Sequence, residues 1–194
     1  MRLPILAVLT WMLSTTAAFA AAHTYKIDPG HTFENFTINH LGFSNLFGQM
    51  AKTEGTIVMD RGGTDSSVEV TIEPGSVYTG NAKRDEHLRN MAGFFDVARY
   101  PSIHFKSTQV TFKGKDRAVV KGNLSMHGVT RPVTLRVSHI SCGKNPIVKD
   151  EFTCGFNATT SLKRSEYGMN AFLPAVGNEV RIMIEVEADR PLHQ

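Results

Sequence analysis

Tryptophan is nearly missing from this chain of 194 residues: its one copy, Trp11, sits in an apolar stretch close to the N-terminus. Cysteine is as scarce, with only Cys142 and Cys154, too far apart for a C-x-x-C redox or metal motif. Neither sign of charge prevails. Setting aside residues 1–20, in which Arg2 is the only charged side chain, leaves 20 basic against 18 acidic groups. Such a balance provides no electrostatic footprint for nucleic acid, so no nucleic-acid partner is expected. Glycine loops that cradle phosphate, of the G-x-x-x-x-G-K or G-x-G-x-x-G kind, are absent, as is a G-x-S-x-G nucleophile elbow. The eight histidines never stand at H-x-H or H-x-x-x-H spacing, so nothing local proposes a metal site. Asp85-Glu86-His87 sets two acids beside an imidazole, but on a helix surface these read as solvated charges and caps. The chain is expected to be no enzyme, with no catalytic residue, metal or cofactor. Its length suits one domain with a sizeable core.

What is present begins with the leader. Arg2, the apolar run LPILAVLTWML and the small residues AAFA, with an A-x-A pattern at Ala18 and Ala20, describe a secretory signal peptide over residues 1–20. The run is too short to cross a bilayer comfortably. Cleavage is expected after Ala20, with Ala22 as the alternative, leaving residues 21–194 as the mature domain. Export places Cys142 and Cys154 in an oxidising compartment, where a lone pair of thiols joins. Between them GKNPIVKDEFT carries a turn signal at Lys144-Asn145-Pro146, so the thiols can face each other across a hairpin. Closing a loop of that size is worth about 3 kcal/mol in the chain-entropy model.

Period-two alternation dominates the mature chain. Val68, Val70 and Ile72 share one face of SSVEVTIEP, with Glu69, Thr71 and Glu73 on the other. Val133, Leu135 and Val137 do the same in RPVTLRVSH, and Val180, Ile182, Ile184 and Val186 in EVRIMIEVEA. Strands of this kind have one wet and one buried face, as antiparallel sheets do. Turn signals follow one another closely, at DPG (28–30), DRGG (60–63), EPG (73–75), KGKD (113–116) and HGVTRP (127–132). Many short strands without linkers or repeats predict an all-β sandwich or barrel.

One segment breaks this rhythm. In RDEHLRNMAGFFDVARYP (84–101) Leu88, Met91 and Phe95 recur at helical spacing, among charged neighbours. Asn81 is a candidate N-cap and Gly93 a terminator, predicting one short amphipathic helix near 81–92. Its apolar stripe must cover the core opening. Eleven of the twelve phenylalanines lie beyond the leader, flat apolar bulk that either fills a sheet core or, in part, lines a cavity.

Four stretches together resemble the YceI-like family of bacterial periplasmic proteins: YKIDPGHTFENFTINHLGFSNLFGQM (25–50), RDEHLRNMAGFFDVARYP (84–101), GNLSMHGVTRPVTL (122–135) and GNEVRIMIEVEA (177–188). The resemblance spans the whole mature chain. It implies a lipocalin-like, extended antiparallel β-barrel of about eight strands, located in the periplasm, that holds a long isoprenoid or similar lipid. An isoprenoid quinone or polyprenyl chain is the ligand expected, bound without an organic cofactor. Transient membrane contact and a homodimer remain open. On that reading Phe36, Ile38, Phe43, Phe47, Met91, Phe94, Phe95, Met126, Leu135 and Phe172 are the expected tunnel lining. The alternative is a filled barrel that recruits a membrane or redox partner. The cysteine pair is not general to the family.

Overall fold

The β-branched residues that alternate in sequence lose little χ1 freedom in extended backbone and pack well on a pleated surface. In the computed structural model, which describes residues 22–193, they form ten strands. These are β1 (His23–Ile27), β2 (Phe33–His40), β3 (Ser44–Met50), β4 (Thr53–Met59), β5 (Ser67–Ile72), β6 (Ile103–Phe112), β7 (Ala118–Met126), β8 (Val129–Lys144), β9 (Glu151–Lys163) and β10 (Val176–Pro191). All belong to one antiparallel sheet in the order β1-β4-β5-β6-β7-β8-β9-β10-β2-β3. Strand β1 also meets β10, with Lys26 opposite Asp189 and Ile27 opposite Ala188, so β1 and β4–β10 close into an eight-stranded barrel. Of the sandwich or barrel that the alternation allows, the chain forms the barrel, as the family resemblance implies. The signal peptide expected over residues 1–20 lies outside the described residues.

Strands β1 and β2 lie along the same edge of β10, one after the other, and β3 continues into β4 beside them. The four act as one long hairpin, broken at residues 28–32 and 51–52. Its outer end is the β2–β3 turn. The free edge of β3 meets the segment around Tyr78, through mutual backbone hydrogen bonds of 2.9 Å with Gln49. The helix α1 (Ala82–Asn90) follows that segment.

Helix α1 begins as expected: the Asn81 side chain accepts a hydrogen bond from the Arg84 backbone N–H at 3.0 Å. It stops earlier than the Leu88/Met91/Phe95 spacing predicts. Met91 is the C-cap in extended conformation (ψ 132°), so Gly93 is not the terminator. Asp85 is a second difference. It is buried rather than solvated, and its carboxylate accepts from both the backbone N–H and the hydroxyl of Thr79.

The cysteines stand opposite each other on β8 and β9 and are joined. Asn145 shapes the connecting turn, its Oδ1 accepting from the N–H groups of Ile147 and Val148 at 2.9 and 3.0 Å. Cys154 belongs to a compact cluster with Tyr25, Ile27, Ile57, Met59 and Ala188, which plugs this end of the barrel.

Candidate ligand cavity

Between the plug and the far end the barrel is hollow. Inward-facing residues of a packed sheet are fully buried, yet on β10 Val180, Ile182, Ile184 and Val186 are only half-buried. They line a cavity of about 410 Å³, within the range of small-molecule sites. Val68, Val70 and Ile72, and Val133, Leu135 and Val137, face it too. The faces that alternation assigns to the interior therefore surround a space as well as a core. From Val176 to Val186 the lining runs ten residues along β10, about 33 Å at the rise of a strand. With the usual strand tilt that is about 25 Å along the barrel axis.

Seven of the ten expected lining residues border this space: Phe36, Ile38, Phe94, Phe95, Met126, Leu135 and Phe172. Phe36 fits because Gly48 lies opposite on β3, where a Cβ would stand 2.3 Å from its ring. Phe43, Phe47 and Met91 do not border it, each for a local reason. Phe43 sits in the β2–β3 turn and is 89% exposed. Phe47 pairs with Thr37 on the outer face of its strand, while Leu46, paired with Ile38, faces in. Met91 has left the helix, and its extended backbone loses the i+3 projection from Leu88.

The lining also holds polar residues outside the expected set. Extending the Phe36/Ile38 face by two positions either way reaches Glu34 and His40, so the alternation already contained them. Glu34 is 9% exposed, and its carboxyl accepts a hydrogen bond from the Thr53 hydroxyl at 2.7 Å across the break in the long hairpin. Burial raises its pKa to about 7, against a smaller downward pull from Thr53. Among the described residues it is the one acid in the lining. At the other end His40, Arg84 and His87 border the opening, where Arg84 already donates Nε to the Thr79 hydroxyl and Nη2 to its carbonyl, both at 2.7 Å.

The opening is held by loops tied to one another. Arg164, 3% exposed, donates to the carbonyls of Gly177, Met169, Ala171 and Val176 at 2.8–2.9 Å, gathering residues 169–177 around itself. Phe172 on that loop meets Phe94 with ring centroids 6.0 Å apart. The His127 ring reaches the carbonyls of Tyr167 (2.9 Å) and Ala92 (3.1 Å) and packs on Tyr100 at 4.3 Å. The motifs around residues 84–101 and 122–135 thus meet at one end of the barrel. Among the described residues no group of three His, Cys, Asp or Glu side chains is placed to hold a metal ion.

The profile of the YceI-like domain matches residues 25–188. The protein YceI of Salmonella arizonae is 38% identical over 179 residues, covering 91% of each chain. The crystal structure of Burkholderia cenocepacia BcnA superposes with a TM-score of 0.71 at 20% identity, over 84% of this chain and 99% of that one. A structure described as a polyisoprenoid binding domain from Saccharophagus degradans gives 0.64 at 18% identity, over 86% and 98%. Family profile, relative and shared barrel agree, and the chain belongs to the YceI-like family.

Proposed function

We propose that the protein is an exported, periplasmic carrier of a single long-chain isoprenoid, a polyprenyl lipid or an isoprenoid quinone, and that it performs no chemistry on it. The observation that carries this reading is the hollow barrel with an almost wholly apolar wall. A tube of about 410 Å³ drawn out over roughly 25 Å admits one slender chain. Its length exceeds one leaflet of a bilayer, about half of a ~30 Å hydrocarbon core, which favours a chain longer than an ordinary acyl tail. Burying such a chain is favourable by roughly 25 cal/mol per Å² of apolar surface, offset in part by the cost of ordering it. Tightness then requires no directional contact along the tail. His40, Arg84 and His87 at the opening favour a head group with acceptor oxygens, a quinone carbonyl or a phosphate. The relative described as a polyisoprenoid-binding domain supports the same ligand class. A filled barrel acting only as a partner-recruiting surface draws no support from a wall this open.

The test is organic extraction of protein purified from its native compartment, followed by mass spectrometry. One isoprenoid per chain is expected. Protein that yields no lipid, or a sub-stoichiometric mixture of acyl lipids, overturns the reading.

A further inference from the structure

The turn joining β2 to β3 is built from His40, Leu41, Gly42 and Phe43. Leu41 (φ 58°) and Gly42 (φ 76°) are both left-handed, Phe43 N–H donates to the His40 carbonyl at 3.1 Å, and Gly42 N–H donates to Asn39 Oδ1 at 2.9 Å. Turns of this geometry favour Asn-Gly or Asp-Gly, because a bulky side chain is disfavoured in left-handed backbone. Leu41 takes the position all the same, and is 48% exposed next to Phe43 at 89%. Phe172 repeats the combination, with φ 57° and 58% exposure. The two sites adjoin: Leu41 N–H donates to the Ala175 carbonyl at 2.8 Å, and Val176, whose N–H donates to the Phe172 carbonyl at 2.8 Å, pairs with His40. Leu41 and Phe43 thus stand largely in solvent, and Phe172, although its ring meets Phe94, is more than half exposed; Leu41 and Phe172 do so in backbone that disfavours them.

We propose that this rim docks on a phospholipid bilayer, with Leu41, Phe43 and Phe172 entering the interface and the cavity opening turned toward the lipid. Phe172 borders the cavity as well as the outside, so the apolar wall reaches the rim at this side chain. Leu and Phe are the side chains that interfacial segments bury to a shallow depth. The polar groups bordering the opening are basic, His40, Arg84 and His87, which suits lipid phosphates and anionic head groups. The proposal rests on the carrier reading for its purpose, since cargo must pass between cavity and membrane, but it is measured independently of cargo.

With Trp11 in the leader, the mature chain has no tryptophan, and Phe43→Trp makes it a single-reporter protein. The mature Phe43→Trp protein is titrated with vesicles of phosphatidylcholine alone and with added phosphatidylglycerol. A blue shift of its emission and quenching by brominated acyl chains are expected, with tighter partition on the anionic vesicles. Adding Leu41→Asp to that protein should weaken partition by about tenfold or more, the worth of burying one such side chain, while melting does not fall, because Asp-Gly suits the turn. Emission unmoved by either vesicle, or partition indifferent to Leu41→Asp, overturns the proposal. So does a blue shift that grows with protein concentration in the absence of vesicles, which would assign the rim to a second copy of the chain. Extraction of the same preparation separates the two readings. Full cargo without insertion overturns docking alone, and insertion without cargo overturns the carrier alone.

Discussion

At one end of the barrel Tyr25, Ile27, Ile57, Met59 and Ala188 pack around a fully buried Cys154, and the disulfide ties β8 to β9. At the other the same strands give way to loops, basic side chains and phenylalanines that stand in solvent. Both ends draw on one set of alternating strands: β10 contributes Ala188 to the plug and Val176 to the opening. Side-chain volume against available space separates them. Where inward residues meet across the axis they form a core, whose stability follows packing density. Where they do not, the wall depends on its ladder hydrogen bonds and on whatever fills the space, and the opening on a smaller buried cluster of Met50, Ile103, Met126, Tyr167 and Met169 together with the Arg164 and His127 tethers.

Cutting equal volumes from both regions should affect them most unequally. In lipid-stripped protein, Ile27→Ala in the plug should cost about 4 kcal/mol, the transfer term plus a cavity the packed cluster cannot close. Ile182→Ala on the hollow wall should cost about 1 kcal/mol or less, since its outer atoms already face empty space. Denaturant unfolding reads both. Equal costs would mean that the wall is packed and the hollow closes in solution.

Reduction sharpens the closed end further. The disulfide spans 12 residues, and Cys142→Ser with Cys154→Ser should lower stability by about 3 kcal/mol. Lipid content of the folded fraction should not change, because the bond lies at the plug. Loss of cargo at full folding would show that the plug shapes the site.

Glu34 gives the wall a pH signature. Its pKa is raised to about 7 from an ordinary 4.5, so the folded chain holds a proton that the unfolded chain releases sooner. The favourable term is complete below about pH 4.5. It is lost as pH rises through 7, and the loss amounts to about 3 kcal/mol. Melting measured from pH 4.5 to 8 should therefore show a decline that Glu34→Gln flattens, leaving the variant more stable than wild type at pH 8. Gln keeps an acceptor for Thr53, so an equal slope in both proteins would mean that Glu34 is not the group that titrates.

The barrel was legible because period-two alternation states which side faces in. Phe36, Ile38 and Leu135 follow from it directly. Alternation cannot say whether the inward side meets another wall or empty space, since that depends on strand number and closure across residues far apart in sequence. It is also silent in turns, which is why Phe43 was expected inside and is not. Glu34 and His40 obey the same rule, but their polarity hides them, since a polar residue in an alternating strand ordinarily marks the wet face. The Arg164 tether had no sequence signal: its partners are backbone carbonyls, which every residue carries.

The smallest expected effect tests the register of β3, where one position separates the cavity from solvent. Phe47→Arg replaces a side chain 64% exposed on the outer face, opposite Thr37. Like most surface changes it should move stability by no more than about 0.5 kcal/mol and leave the extracted lipid at one per chain. Leu46→Arg, one residue earlier, puts a cation among Ile38 and the other lining residues, where no carboxylate other than Glu34 faces the space. Cargo should fall sharply there while the fold persists, because the long side chain can reach toward the opening rather than stay buried. If Phe47→Arg empties the barrel and Leu46→Arg does not, β3 is shifted by one residue in solution. Both faces of the β2–β3 hairpin would then exchange roles, since a slip of one reverses every side chain.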